Sequence, residues 1–169
     1  IFPVQSGHYW FVSAYVVLCL LSPFFNAGLE TLSKKRMQQL LAVLLFFFCI
    51  GKSFSPLQFA LDRFGYDFGW FAVLYLTGGY LKKYGMPRLD SFPKNIALYA
   101  GCTLGTFLLE LLLIPLAGRL TGLTYYASVP FHYNALFAYL AAVGLFGAFA
   151  ALKVKEGRFA DMVRCWSPA

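Results

Sequence analysis

The chain has 169 residues, of which 60% are hydrophobic and only 12% charged, with a mean hydropathy of +0.66. A domain of this size in water buries only about 70% of its surface and carries about 25% charged residues. An ordinary soluble domain, a disordered chain and a nucleic-acid module are therefore excluded. The net charge of +7 is spread over short basic clusters between apolar runs, not along one face, which is the pattern of membrane topology signalling.

The first apolar run, Tyr9 to Phe25, carries no charge and is near the lower limit of about 17 residues for crossing some 30 Å of hydrocarbon. Asn26 to Gln39 reads as a polar connection with Lys34, Lys35 and Arg36. The second run, Leu40 to Gly51, is nearly pure Leu and Phe, and its shortness draws Gln38 and Gln39 into the helix. Lys52 to Phe68 is a mixed loop in which Leu57, Phe59, Ala60 and Leu61 form a short interfacial helix. The third run, Gly69 to Leu81, contains the small pair Gly78-Gly79, which lets helices approach closely. Lys82 to Lys94 is a second basic loop broken by Pro87 and Pro93. The fourth run, Asn95 to Ala117, is the longest and holds one acid, Glu110. Gly118 to Asn134 is aromatic and polar, Ala135 to Leu152 is the fifth run, and a basic tail follows with Lys153, Lys155, Arg158 and Arg164.

These runs predict an all-α fold, a polytopic transmembrane bundle of about five spanning helices forming a single transmembrane domain over residues 1–169. Backbone hydrogen bonding in lipid requires helices here, because the strict alternation of barrel strands is absent. Alternate connections hold 11 of the 14 basic residues. The basic connections are therefore assigned to the cytoplasm and the N-terminal end to the outside.

No GxSxG, Walker loop, HExxH or CxxC pair occurs, and no metal site is expected. Cys19, Cys49 and Cys102 lie within apolar runs and read as buried thiols. The chemistry-bearing residues are those at membrane depth or at the outer mouth. Glu110 is the sharpest signal, because a carboxylate in an apolar helix must face the bundle interior or water. It reads either as a pocket group or as a structural helix–helix hydrogen bond. Its helical face carries Thr106, Phe107, Ile114 and Ala117, and Leu108, Leu109 and Leu112 lie opposite. Arg63, Arg119, His132 or a Tyr is the expected partner. His8 and His132 fall on the same outer side, each a general base or an interfacial anchor. Trp10 reads as part of the aromatic belt. Together Glu110, His8, Trp10, Arg63, Arg119 and His132 outline a polar pocket on the outer side. A transporter would show Gly- or Pro-broken helices in corresponding halves, but Gly78-Gly79 and Pro115 do not correspond.

The stretch His8-Tyr9-Trp10-Phe11-Val12-Ser13-Ala14-Tyr15, running on to Leu21-Ser22-Pro23-Phe24-Phe25-Asn26, resembles the integral-membrane acyltransferases of type 3. So do Lys34-Lys35, Gly69-Trp70-Phe71 and Leu74-Tyr75-Leu76-Thr77-Gly78-Gly79-Tyr80-Leu81. The resemblance covers most of the chain and is similar to the branch acting on capsular or exported polysaccharide. It implies a multi-pass protein of the bacterial inner membrane that transfers an acetyl or other acyl group to a sugar oxygen. The donor it implies is acyl-CoA, the acceptor a cell-surface or exported carbohydrate, and no cofactor is bound. It also implies a catalytic Arg/His pair in earlier helices, so the chain reads as the C-terminal part of a longer acyltransferase domain, lacking those helices and a last one. An isolated chain of this kind is expected to be inactive. The competing reading is a non-catalytic transporter or polysaccharide-export component.

Overall fold

The computed structural model describes residues 10–54, 65–66, 68–86, 89–117, 119 and 128–152. Helix α1 runs Trp10–Thr31 and α2 Lys34–Leu45. A π turn, Phe46–Ile50, joins α2 to α3, Gly51–Phe54. Helices α4, Phe68–Tyr84, and α5, Phe92–Ala117, follow. A 3-10 turn, Val129–Phe131, precedes α6, Leu136–Ala151. With α2, the π turn and α3 counted as one rod, five helices run back and forth, as the apolar runs predict, and no strand occurs among the described residues. Three segments are long and apolar enough to cross a membrane by length and composition: Phe11–Thr31, Phe92–Ala117 and Val129–Ala151.

One boundary differs from expectation. The polar stretch after Phe25 is not a loop: α1 continues through it to Thr31, and only Leu32 and Ser33 separate α1 from α2. Tertiary partners explain the extension. Tyr75 donates its hydroxyl proton to Asn26 Oδ1 at 2.8 Å, and Leu29 is buried with Met37, Leu41 and Leu76. Pro23 also sits inside α1 without ending it. Proline has no N–H for the Cys19 carbonyl four residues back, and Ser22 Oγ donates to that carbonyl instead, at 2.8 Å. Gly78-Gly79 and Pro115 likewise lie within continuous helices.

Helix α4 is the central post. Its Trp70, Val73, Leu76 and Thr77 are buried, and it packs on α1 and α2. Cys49 of the π turn, Trp70, Val73 and Tyr139 of α6 form a second buried cluster. Helix α5 packs along α6 through a stripe of small residues, and there the glycines matter. A Cβ on Gly144 would lie 3.0 Å from the Asn95 carbonyl oxygen and 3.1 Å from the Tyr99 nitrogen. A Cβ on Gly147 would collide with Met86 and the Asn95 amide. Only small residues allow backbones this close. The large side chains facing away from these contacts are exposed, including Leu20, Phe24, Leu104, Leu112 and Phe149. An apolar belt of this kind is what lipid contact requires.

The ends of the bundle differ in chemistry. One end gathers Lys34, Lys35, Arg36, Lys82 and Lys83, since Lys83 Nζ donates to the Leu29 carbonyl at 2.6 Å and Lys34 lies over the Tyr84 ring. Lys94 belongs to the start of α5 at this end. Its ammonium donates to Asp90 Oδ1 at 2.7 Å and holds that carboxyl below the usual carboxylate range. The other end gathers the start of α1 and α4, Gly65 and Tyr66, and the turn before α6, shown by the Phe11–Phe71 and Tyr66–Tyr133 ring contacts.

Candidate functional site

At the second end a cavity of about 410 Å³ opens between α1, α4 and α6. Its wall is aromatic: Phe11, Trp70, Phe71, Tyr133 and Tyr139 line it, with Leu74 and Ala142 deeper in. Three features build it. Gly65 adopts φ +84, where any side chain is strained, and a Cβ there would lie 2.9 Å from both the Asn134 nitrogen and Tyr133. Tyr66 stacks edge-on against Tyr133 with centroids 4.9 Å apart. Asn134, almost wholly buried, donates Nδ2 to the Phe48 carbonyl of the π turn at 2.8 Å. Together these contacts fix the segment before α6 against both the loop before α4 and the second helical rod.

The cavity continues along the α4–α6 seam. Through Leu74 and Ala142 it adjoins a pocket of about 200 Å³, which shares Leu81 and Phe146 with one of about 340 Å³ at the basic end. Between the ends the seam is lined by apolar and small side chains, with one polar pair. Thr77 Oγ1 and the Tyr139 hydroxyl lie 3.2 Å apart, buried, while Thr77 also donates to the Val73 carbonyl at 2.8 Å. The Thr77 proton is thus engaged with its own helix, which leaves Tyr139 as the donor between the two. Trp70 packs edge-on against Tyr139 at 5.8 Å.

The six residues singled out from the sequence do not all join this cavity. Glu110 lies on the inward stripe of α5 with Cys102, Gly105, Thr106, Leu113 and Ala117, and its Oε1 is buried. Phe107 and Ile114, expected on that stripe, are exposed, as are Leu108, Leu109 and Leu112. Among the described residues no hydrogen-bond donor reaches Oε1. Thr106, one turn back, donates instead to the Cys102 carbonyl at 3.0 Å.

The α5–α6 register places Glu110 further. Gly147 faces Asn95, Gly144 faces Leu98 and Tyr99, and Gly105 faces Phe137. Extended antiparallel by the same steps, this register brings Glu110 to the level of His132, where α5 also meets the 3-10 turn. His132 is half-buried and adjoins Tyr133 of the cavity wall. Arg119 is exposed just past the end of α5, its backbone nitrogen donating to Leu116 at 3.1 Å. Trp10 opens α1. His8 and Arg63 lie outside the described residues, as does the short helix expected at Leu57 to Leu61. Glu110, His132 and Arg119 thus share one end of the bundle, and none of the three lines the cavity.

Two participants escape a sequence reading, Tyr139 and Asn134. A signal exists for the first. Tyr139 is the only side chain with a hydrogen-bonding group between Ala135 and Leu152, and such a group at membrane depth seeks a partner.

A family model described as an acyltransferase domain matches residues 1–166. The chain belongs to the type 3 acyltransferase family. The match spans nearly the whole sequence, so this helical bundle is a membrane acyltransferase domain or part of one. Neither a curated protein nor a solved structure gives a significant match. For an acyltransferase of this kind, a mostly apolar seam is chemically apt, because water competes with the acceptor for an activated acyl group.

Proposed function

We propose that this chain forms part of an acyltransferase that moves an acyl group, most simply acetyl, from acyl-CoA to an exported or cell-surface carbohydrate. The α4–α6 seam, mostly apolar with one buried hydroxyl pair and an aromatic mouth, carries this reading. The basic end faces the cytoplasm, where acyl-CoA resides, and the mouth at Phe11, Trp70 and Tyr133 faces outward. Sugar rings stack on such aromatic walls through their apolar C–H faces. In the transfer a sugar hydroxyl attacks the acyl carbonyl, loses its proton to a base, and the thiolate departs. The chain supplies a mostly apolar, shaped surround and Glu110 and His132 at the acceptor end. No residue of this chain is assigned to the Arg/His pair that the family resemblance implies.

The test is acyl transfer by the whole domain reconstituted in vesicles with labelled acetyl-CoA. Ala142→Phe fills the seam where two of its pockets meet, and transfer is expected to fall at least tenfold while the protein still folds. Wild-type transfer in that variant would refute the role of the seam.

A further inference from the structure

The corner where α1 hands over to α2 carries a basic cluster that lines none of the three pockets of the seam. Lys34, Lys35 and Arg36 occupy the first turn of α2, a helix whose N-terminal residues include no acid and whose Ser33 cap makes no side-chain hydrogen bond. The N-terminus of a helix carries the positive end of its dipole, so cations are disfavoured there. The neighbouring elements add more positive charge. Lys82 and Lys83 end α4, and Lys34 and Lys83 each hold an ammonium 5.5 Å from the centroid of the Tyr84 ring. Among the described residues none of these five cations pairs with a carboxylate.

The corner is rigid. Lys83 Nζ donates to the carbonyls of Leu29 and Glu30 at 2.6 and 3.2 Å, closing the C-terminus of α1. Gln38 donates to the Tyr80 hydroxyl at 2.8 Å, tying α2 to α4. The basic side chains are exposed and project from a fixed frame.

Depth decides what kind of anion fits. The exposed apolar belt starts close by, with Phe24 72% exposed on α1 and Leu40 and Val43 exposed on α2. Lys34 lies six residues from Leu40, about 9 Å along the helix axis. The headgroup layer beyond the hydrocarbon is about 5–8 Å thick on each side. Arg36 and Lys35, about 6 and 7.5 Å from Leu40, therefore sit at headgroup depth, and Lys34 lies just beyond it.

We propose that this corner is a binding site for the phosphate of an anionic phospholipid, held by Lys34, Lys35 and Arg36 with the free first-turn amides of α2. The anion offsets an arrangement that the helix dipole by itself opposes, and it fixes the α1–α2 hairpin in the leaflet.

The test uses the intact protein in a neutral detergent, titrated with phosphatidylglycerol or phosphatidylcholine and read by native mass spectrometry. The wild type is expected to retain phosphatidylglycerol about a hundredfold more tightly. The preference should weaken by roughly fivefold for each charge removed in Lys34→Gln, Lys35→Gln and Arg36→Gln. Lys94→Gln, which removes a cation from the same end but outside the corner, should leave the preference unchanged. The triple Gln variant should melt at or above the wild type in lipid-free detergent, since it relieves the dipole conflict. Equal affinity for the two lipids, or an equal loss in Lys94→Gln, would overturn the proposal. Displacement of phosphatidylglycerol by inorganic phosphate or 3′,5′-ADP at millimolar concentration would also overturn it, by showing a site for soluble phosphates instead.

Discussion

Asn134 reaches across 86 positions of sequence to donate its Nδ2 hydrogen to the Phe48 carbonyl at 2.8 Å. The π turn at Phe46–Ile50 holds one residue more per turn than an α-helix, and such turns shift carbonyls off the regular ladder and recur at functional sites. The Ser53 hydroxyl takes the next carbonyl, that of Cys49, at 3.0 Å. Asn134 thus couples the wall of the aromatic cavity to an irregular turn. Asn134→Ala leaves the Phe48 carbonyl without this donor, a loss of about 1–3 kcal/mol. The expected result is a lower melting midpoint in detergent, together with weaker acyl transfer because Tyr133 is no longer held. A variant with unaltered melting would show that the bond carries no weight.

The α5–α6 contact makes a sharper steric prediction. Gly144 sits 3.0–3.3 Å, measured from an added Cβ, from the Asn95 oxygen, the Tyr99 nitrogen and Leu98. Two of these neighbours are backbone and cannot rotate away. Gly144→Ala is expected to cost about 1–3 kcal/mol, as overpacking does. Gly78 has open space at the same position, so Gly78→Ala should be neutral or stabilise by up to about 1 kcal/mol through helix propensity. Thermal melts of the two variants in one detergent compare them directly, and equal losses would contradict the packing described.

The five helices and their order were legible because apolar runs without charge leave few alternatives in lipid. The end of α1 was not. Asn26 to Thr31 reads as a loop by composition, and it is helical because Asn26 and Leu29 find partners on α4 and α2 far along the chain. Glu110 turned out to face inward, as the cost of an acid in lipid demands. Of the α5 neighbours expected beside it, Thr106 and Ala117 share its stripe, whereas Phe107 and Ile114 point outward, because the line along which α6 packs is set by tertiary contacts and not by the sequence of α5. The Thr77–Tyr139 pair was invisible for the same reason. Each residue alone looks like an ordinary hydroxyl in an apolar run, and only the packing of α4 on α6 joins them.

The opposite ends of the bundle give the orientation its test. Ser91 lies beside Lys94 at the basic end and Ser128 before the turn at the aromatic end. Single cysteines at these positions, with Cys19, Cys49, Cys102 and Cys165 replaced by Ala, should label from opposite sides of intact cells. Ser91→Cys is expected to be reached only after permeabilisation, and Ser128→Cys by an impermeant maleimide from outside. Labelling of both from one side would contradict the arrangement of the ends, and the reverse pattern would invert the proposed orientation.

Glu110 separates a structural acid from a working one. Its Oε1 is buried on the packed stripe of α5, and no described donor reaches it. A buried polar atom without a partner lowers stability, so a purely structural purpose is poorly served by this side chain. Glu110→Gln keeps its shape and removes its acid–base capacity. In a structural role the amide, able to donate as well as accept, would serve as well or better, and melting and transfer would both stay at or above wild type. In the role proposed here, at the level of His132 and beside the acceptor mouth, the carboxyl takes or gives a proton during transfer. The Gln variant should then melt like the wild type while transfer falls by about 10²-fold, the lower end of what a positioned acid–base group contributes. Glu110→Asp, which keeps the acid on a shorter arm, should recover part of the rate. Wild-type transfer in Glu110→Gln, with melting at or above wild type, would rule out this role and leave the residue to the fold.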